Sequence, residues 1–330
     1  MNLNNPQLLY PRLSPLLKWA GGKERELKYI LPEIPEFKRY FEPFVGGGAV
    51  YFAVNSSQYF LNDKSHELIE LYKSVKTSDK FFFDEVSKIS ENWKNIENRI
   101  SENRDDFLAK YKSGFSFPEI SKKIERVRKL ELKNGELVEK DILDNIESAF
   151  KAKYYTELRG LYNSNPTPAI FFFIRNFAYS GMFRYNKDGE FNVPYGGIGY
   201  NKKDLRNKLE YFKDEKLLEH LAKTEIENLD FEDFFQKWKP EKDDFIFLDP
   251  PYDSEFSTYA KNEFIQNDHV RLRDFLAKTS AKWLMVISET EFISELYKDF
   301  HISDFKKEYQ VSFKNRNNKK ANHLIIKNYV

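Results

Sequence analysis

The tetrapeptide Asp249-Pro250-Pro251-Tyr252 directly follows a short apolar run, Asp244 to Leu248. The run is bulky and bounded by charges, which is typical of a buried strand. The two prolines stop the strand, because neither can donate to a ladder and each fixes its own φ. The sequence therefore predicts an acid at the carboxyl end of a buried strand, followed by a rigid turn and an aromatic ring. In open α/β sheets, ligands bind at that end of the strands.

This tetrapeptide suits methyl transfer to a planar exocyclic amine. Such an amine is a poor nucleophile, because its lone pair is delocalised into the ring. The Asp249 carboxylate and the Pro250 carbonyl can each accept one amine hydrogen, which holds the nitrogen in line and stabilises its developing positive charge. Tyr252 offers a flat face on which the ring can stack. Taken alone, the same residues also fit a plain strand end with a capping aspartate.

A second group of residues is typical of a cofactor site. Arg39 to Val45 predicts a strand, Gly46-Gly47-Gly48 a tight turn, and Ala49 to Val54 the start of a helix. Such a junction presents amide donors and the positive end of a helix dipole. The next predicted strand, Gln58 to Asn62, ends in Asp63, near the position where an acid binds a ribose. These residues favour a nucleoside-containing cofactor, although Asp63 alone also fits a helix N-cap.

A further glycine turn lies near the start of the chain. Gly21-Gly22 stands between Trp19 and Lys23, and Lys18 adds a second positive charge. A ligand can approach the backbone closely at such a turn. An ordinary turn that opens a helix fits these residues equally well.

Composition excludes several classes of protein. The chain has 330 residues and no cysteine, which excludes disulfides, thiolate-bound zinc and thiol nucleophiles. Its five histidines show no metal-ligand spacing, so no metal is expected. The net charge of +1 means that nucleic acid must be bound by a local basic surface. No signal peptide or long apolar run is present, so we expect a cytoplasmic protein that does not contact a membrane.

The order of the predicted elements indicates an interrupted α/β domain. Strands and helices alternate in residues 1–78 and again in 223–330, where a final antiparallel pair closes the sheet. Residues 79–222 are mainly helical and charge-dense, which predicts an inserted subdomain. Within it, Lys122 to Lys129 mixes charges at helical spacing and predicts a solvated helix face.

A basic and aromatic hairpin is predicted around Lys187-Asp188-Gly189, the turn signal. Arginine, lysine, asparagine and tyrosine alternate around it, and such residues suit phosphate contacts, base edges and stacking. A polar surface hairpin over a small aromatic core is the alternative.

Taken together, the motifs resemble those of Dam-type (D12 class, alpha-order) site-specific DNA adenine-N6 methyltransferases. The resemblance covers most of the chain: KWAGGK at 18–23, FEPFVGGGAV at 41–50, LND at 61–63, GMFRYNKDGEFNVPYG at 181–196, DFE at 230–232, DPPY at 249–252 and HLIIKNY at 323–329. It implies the S-adenosylmethionine-dependent methyltransferase fold, a mixed, mostly parallel sheet with helices on both faces, and an inserted DNA-recognition subdomain.

The resemblance also implies the substrates and the site residues. The donor would be S-adenosylmethionine and the acceptor an adenine flipped out of double-stranded DNA. Asp249, Pro250 and Tyr252 would be catalytic. The implied cofactor contacts are Trp19, Lys23, Glu42, Phe44, Gly46, Gly48, Asp63, Asp230, Phe231 and Asp249. The implied DNA contacts are Lys18, Arg184, Tyr185, Asn186, Lys187, Lys202, Lys203 and Arg316.

One departure from the family concerns the recognition region. Relatives that methylate GATC commonly have Arg-Tyr-Lys after the segment that corresponds to Val193 to Gly196, whereas this chain has Gly197 to Lys202 there. The helical insert around residues 95–155 is also long. GATC is therefore not assumed, and both an orphan methylase and one accompanied by a separate restriction endonuclease are compatible with the sequence. Alternatives are an amine methyltransferase of the same fold acting on cytosine-N4 or RNA, and a non-catalytic, S-adenosylmethionine-sensing DNA-binding protein.

Overall fold

The computed structural model describes residues 7–252, 264–308 and 320–330. The chain divides into two compact units. One unit combines Met1–Lys76 with Glu215–Val330, and the other is the continuous segment Thr77–Asp214. A continuous segment is thus inserted between two parts of one domain.

The first unit is built on a seven-stranded sheet with the order β3-β2-β1-β4-β5-β7-β6. The strands are β1 (Arg39–Glu42), β2 (Gln58–Asn62), β3 (Thr224–Glu227), β4 (Phe245–Leu248), β5 (Lys282–Ser288), β6 (His301–Glu308) and β7 (Lys320–Lys327). Strands β1 to β5 pair in parallel, and β7 pairs antiparallel with both β5 and β6. This confirms the predicted mixed, mostly parallel sheet. The predicted strand at 309–313 lies outside the described residues.

Helices cover both faces of this sheet. They are α1 (Leu27–Ile30), α2 (His66–Lys76), α9 (Glu215–Ala222), α10 (Phe231–Trp238), α11 (Gln266–Leu276) and α12 (Glu291–Leu296). On one face, Phe41, Ile246 and Trp283 share a core with apolar residues of α10, α11 and α12. On the other face, the ring of Tyr59 lies 5.2 Å from that of Tyr51 and 4.3 Å from that of His220 in α9. Burial on both faces explains why the central strands are apolar throughout.

Helix α9 corrects the predicted end of the insert. The sequence placed Glu215–Ala222 in the inserted segment, but these residues belong to the unit that contains the sheet. The physical reason is the aromatic cage around His220, where burial lowers the pKa of the imidazole to about 4. A neutral imidazole packs among aromatic rings without a charge to desolvate.

The second unit is mainly helical, as predicted. Its helices are α3 (Lys80–Glu102), α4 (Arg104–Lys112), α5 (Ser121–Asn134), α6 (Glu139–Ser164), α7 (Pro168–Phe177) and α8 (Arg206–Phe212). A separate core around Phe107, Ile124 and Ile146 joins α4, α5 and the first half of α6. The predicted buried helix at 169–174 is confirmed within α7, all of whose residues after Pro168 are buried.

Candidate active site

Asp249 lies where the sequence placed it, directly after β4. Strand β4 is fully buried, and Pro250 and Pro251 end it. The Asp249 side chain is 21% exposed, so the carboxylate stands at the edge of the core. Pro250 is buried and Tyr252 is half-buried. A carboxylate, a fixed carbonyl and a ring therefore follow one another at the carboxyl end of a central strand.

Lys23 connects this strand end to the first glycine turn. Its Nζ donates to Asp249 Oδ2 at 2.5 Å, to the Tyr252 hydroxyl at 3.1 Å and to the Gly21 carbonyl at 2.9 Å. The Lys23 side chain is only 2% exposed, so solvent screens this ion pair weakly. Such charge-assisted hydrogen bonds fix both the carboxylate and the ring that follows it.

The Gly46-Gly47-Gly48 turn requires its glycines. Gly46 and Gly48 have φ values of +48° and +71°, which favour glycine. A Cβ on Gly46 would lie 2.7 Å from Trp19 Cδ1, so the indole of the first glycine segment packs directly on the second. The turn therefore accommodates the Trp19 indole only because it carries no side chains.

The element after this turn is shorter than predicted. The sequence predicted a helix over 49–54, but only a single 3-10 turn, Tyr51–Ala53, forms there. The segment instead pairs with the start of the chain, since Leu9 N donates to Ala53 O at 3.0 Å. Likewise β1 ends at Glu42 rather than Val45, because Pro43 cannot donate to the ladder.

Asp63 is bonded to the glycine turn. Its Oδ2 accepts from Gly46 N at 2.9 Å, and its Oδ1 accepts from Ser65 N at 2.9 Å just before α2. The acid thus both fixes the turn and joins it to the following helix. Desolvation by burial raises the pKa of Asp63, while these backbone donors lower it. The charge of Asp249 raises it further, which places the two acids within electrostatic range of each other.

Glu42 is a buried acid at the end of β1. The Tyr40 hydroxyl donates to its Oε2 at 2.7 Å, and the side chain is 2% exposed. Burial raises the pKa of Glu42 well above its ordinary value, and the charges of Asp249 and Asp63 add to this effect. Glu42 is therefore held in its protonated form beyond the pH at which an exposed glutamate ionises.

Replacing Glu42 with glutamine should raise the free energy of unfolding at neutral pH by about 1–2 kcal/mol. In the wild type, Glu42 is protonated in both the folded and the unfolded chain at pH values below the ordinary glutamate pKa, so its ionisation does not affect stability there. As the pH rises toward the higher pKa of folded Glu42, only the unfolded chain ionises, and the wild type loses stability. Glutamine cannot ionise, so urea unfolding at several pH values should show no such loss. An exposed control, Glu36→Gln, should leave the pH dependence unchanged.

Asp230 and Phe231 begin α10, at the end of the neighbouring strand β3. Asp230 caps the helix by accepting from Glu232 N at 3.0 Å, and it also accepts from Arg271 Nη2 at 3.0 Å. Phe231 is buried, and its ring centroid lies 5.9 Å from that of Phe44. The Arg271 guanidinium lies 4.9 Å from the Phe231 ring centroid. An acid and an aromatic surface therefore stand side by side here.

Two residues that organise this site were not found from the sequence. Arg271 in α11 also donates to Glu232 Oε2 at 2.6 Å and to Asp268 Oδ1 at 2.7 Å. Asn62 donates to the carbonyls of Pro43 and Leu229, both at 3.1 Å, and so ties the ends of β1 and β3 together. A polar residue ending the apolar strand β2 was a signal for Asn62. No local pattern distinguishes Arg271 from other surface arginines.

The residues that the family resemblance associates with DNA fall in both units. Lys18, Arg184 and Lys187 are exposed. In the hairpin, the Tyr185 hydroxyl is 2.9 Å from that of Tyr162, and Asn186 Oδ1 accepts from Glu190 N at 2.8 Å, so both side chains stabilise the hairpin itself. The hairpin packs on an aromatic cluster that includes Tyr162, Phe171, Phe183 and Phe191. Such a cluster belongs to the alternative interpretation, a polar surface hairpin over a small aromatic core.

The other residues that the family resemblance associates with DNA either have hydrogen-bond partners or lie outside the described residues. Lys202 Nζ donates to Glu97 Oε1 at 3.1 Å, and Lys203 Nζ donates to the Asn176 carbonyl. Arg316 lies outside the described residues. Across the described ranges no group of acids and histidines could hold a metal ion. No helix in that part of the chain is long and apolar enough to cross a membrane.

Comparison with known proteins gives one consistent result. A family profile described as D12 class N6 adenine-specific DNA methyltransferase matches residues 19–311. A type II methyltransferase, M.CviBI of Paramecium bursaria Chlorella virus NC1A, is 30% identical over 326 residues, which cover 96% of this chain and 100% of that protein. A DNA adenine methylase of Haemophilus influenzae is 28% identical over 339 residues, covering 97% of this chain and 96% of that one.

A third relative is archaeal. The type II methyltransferase M.MjaIII of Methanocaldococcus jannaschii is 28% identical over 348 residues, with 96% of this chain and 99% of that protein covered. These full-length matches agree with the fold and with the motifs. The chain therefore belongs to the D12 class of N6 adenine-specific DNA methyltransferases.

Proposed function

We propose that this enzyme transfers the methyl group of S-adenosylmethionine to N6 of an adenine flipped out of double-stranded DNA. The observation that carries the proposal is Asp249, held by Lys23 at the carboxyl end of β4 and followed by Pro250 and Tyr252. Strand β4 is neighbour to β1 in the sheet, and β1 leads to the glycine turn. The chain runs outward from β1 to β2 and β3 on one side, and from β4 to β5 on the other. Ligands of open α/β sheets bind at such a switch point.

The residues at this switch point fit a nucleoside-containing methyl donor. The Gly46-Gly48 turn carries no side chains and packs against the indole of Trp19. Asp63 and Asp230 stand at the ends of neighbouring strands, and the half-buried Phe44 packs beside Phe231. We assign the donor to these residues together with Trp19, Lys23 and Glu42. When bound, S-adenosylmethionine supplies an electrophilic methyl group on a positively charged sulfur.

The chain's own residues would prepare the amine for this methyl group. Extruding the adenine costs a few kcal/mol, and stacking on the half-buried Tyr252 offsets part of that cost. Asp249 and the Pro250 carbonyl would each accept one hydrogen of the amine. Because Lys23 fixes Asp249 Oδ2 and the Tyr252 hydroxyl, both acceptor and stacking surface are in place before the base arrives.

Methyl transfer with labelled S-adenosylmethionine tests this proposal. Double-stranded DNA, single-stranded DNA and RNA are offered in parallel, and the labelled nucleoside is identified after digestion. We expect N6-methyladenine from double-stranded DNA. Label in N4-methylcytosine, or label only in RNA, would assign the site to the other amine methyltransferases of this fold. Donor binding without transfer to any substrate would indicate a non-catalytic sensor.

DNA contact is proposed for Lys18, Arg184 and Lys187, which are exposed, and for the hairpin that carries the last two. Tyr185, Asn186, Lys202 and Lys203 would act there by holding the recognition segments in shape. Relatives named type II methyltransferases suggest a restriction-modification role with a separate endonuclease. Mapping methylated adenines in DNA from cells that express the chain, in the cytoplasm where we expect it to act, identifies the sequence it recognises.

A further inference from the structure

The outward face of α5 carries a row of cations. Lys122, Arg126, Lys129 and Lys133 follow one another at helical spacings of four, three and four residues, and all four are exposed. At about 100° per residue they fall within roughly 60° of one another around the helix. We call these four residues the α5 stripe.

The inward face of α5 fixes the direction in which the stripe points. Ile124 is fully buried in the separate core of the insert. Glu131 accepts from the Tyr111 hydroxyl at 2.8 Å and from Leu137 N at 2.9 Å. Arg128 donates to the Phe115 carbonyl at 2.8 Å. These inward residues lie about half a turn from the stripe. Helix α5 therefore cannot rotate to bury its cations without breaking the contacts that the inward residues make.

The stripe borders one acidic side chain of its own helix, Glu125. Within the described ranges, none of its four members forms an ion pair. Glu125 stands about 60° to one side around the helix, and Lys123 adds a positive charge on the other. Four other cations of this unit differ, because acids pair with them. These paired cations are Arg104, Lys110, Lys112 and Lys153.

We propose that the α5 stripe binds the phosphate backbone of the DNA substrate, which rests on the proposed function. The stripe extends over eleven helical steps, or about 16 Å. The stripe is therefore several times longer than the rise of about 3.4 Å per phosphate along the axis of one DNA strand. Four exposed cations that form no ion pair among the described residues match such a row of negative charges. Contacts of this kind add affinity without reading sequence.

The test measures how DNA binding depends on salt. The stripe variant carries Lys122→Gln, Arg126→Gln, Lys129→Gln and Lys133→Gln, which keep helix propensity. Each phosphate contact contributes about −0.9 to the slope of log K against log salt concentration. The slope of the stripe variant should therefore be less negative than that of the wild type by about 3–4. Raising salt from 50 to 200 mM should then weaken the wild type roughly 100-fold more than the variant. Fluorescence anisotropy with a duplex that contains the methylated sequence provides the measurement.

A second quadruple variant separates position from net charge. Arg104→Gln, Lys110→Gln, Lys112→Gln and Lys153→Gln remove the same number of charges, but from cations that form ion pairs with acids. This control should keep the wild-type slope within about 1. Circular dichroism checks that both variants are folded.

The possible outcomes are distinguishable. A slope that stays at the wild-type value in the folded stripe variant would overturn the proposal, and the stripe would then serve an acidic protein, an anionic surface or solubility. An equal loss of slope in both quadruple variants would also overturn it, because net charge alone would then explain the effect. A wild-type protein that methylates no DNA would instead contradict the proposed function itself.

Discussion

Asp249→Ala should lower the rate of methyl transfer at least about 10³-fold, the loss typical when a preorganised group that stabilises transition-state charge is removed. The variant loses the acceptor for one amine hydrogen and the negative charge beside the nitrogen. Asp249→Asn should also abolish measurable turnover, because the amide is neutral and cannot form the ion pair with Lys23. Single-turnover kinetics with saturating donor and DNA would measure the chemical step directly.

Folding and binding must be separated from chemistry in this experiment. Lys23 is buried, so Asp249→Ala leaves a cation without its carboxylate, and thermal unfolding should show a modest loss of stability. The asparagine variant retains the shape and one acceptor oxygen and should be closer to wild type in stability. Asp243→Ala is a suitable control and should retain full activity, because the Asp243 side chain forms an exposed ion pair with Lys38. Near-normal turnover of a folded Asp249→Ala protein would refute the mechanism.

Lys23→Met should lower kcat about 100-fold and the free energy of unfolding by about 1–3 kcal/mol. Methionine matches the length of the lysine stem, so the packing is largely kept while three hydrogen bonds are lost. Those bonds hold Asp249, Tyr252 and the Gly21 carbonyl together. Without them the carboxylate and the ring become free to rotate away from the positions that the amine requires.

The control for this variant is Lys28→Met, which removes an exposed lysine near the same glycine turn. It should change neither kcat nor stability appreciably. The affinity for the methyl donor is measured separately by calorimetry, because Lys23 is also proposed to lie against the donor. A Lys23→Met protein with weakened donor binding but wild-type kcat at saturation would show that the lysine does not position Asp249.

Local backbone chemistry explains why much of the site was predictable. Prolines end a strand through their own rings, and glycines permit turns through their own lack of a side chain, so these signals act within a few residues. The strand that leads to Asp249, the turn at Gly46–Gly48 and the strand that ends before Asp63 were therefore all found in place. The inserted helical segment was recognisable for a similar reason, because charge density and helical periodicity are local properties.

Other features depended on which distant segments meet. The predicted helix over 49–54 became a single turn, because that segment pairs with residues near the start of the chain. Helix α9 was assigned to the insert, because its sequence does not reveal that His220 packs among the rings of Tyr51 and Tyr59. Arg271 gave no signal at all, since its partner Asp230 lies 41 residues away.

The sequence by itself determined the chemical groups of the site and the family to which they belong. Only the tertiary structure decided that Lys23 meets Asp249, a residue 226 positions later, and that Arg271 meets Asp230. The physical reason is that the order of strands in the sheet and the burial of helix faces depend on contacts among remote residues. Propensities of neighbouring residues do not record those contacts.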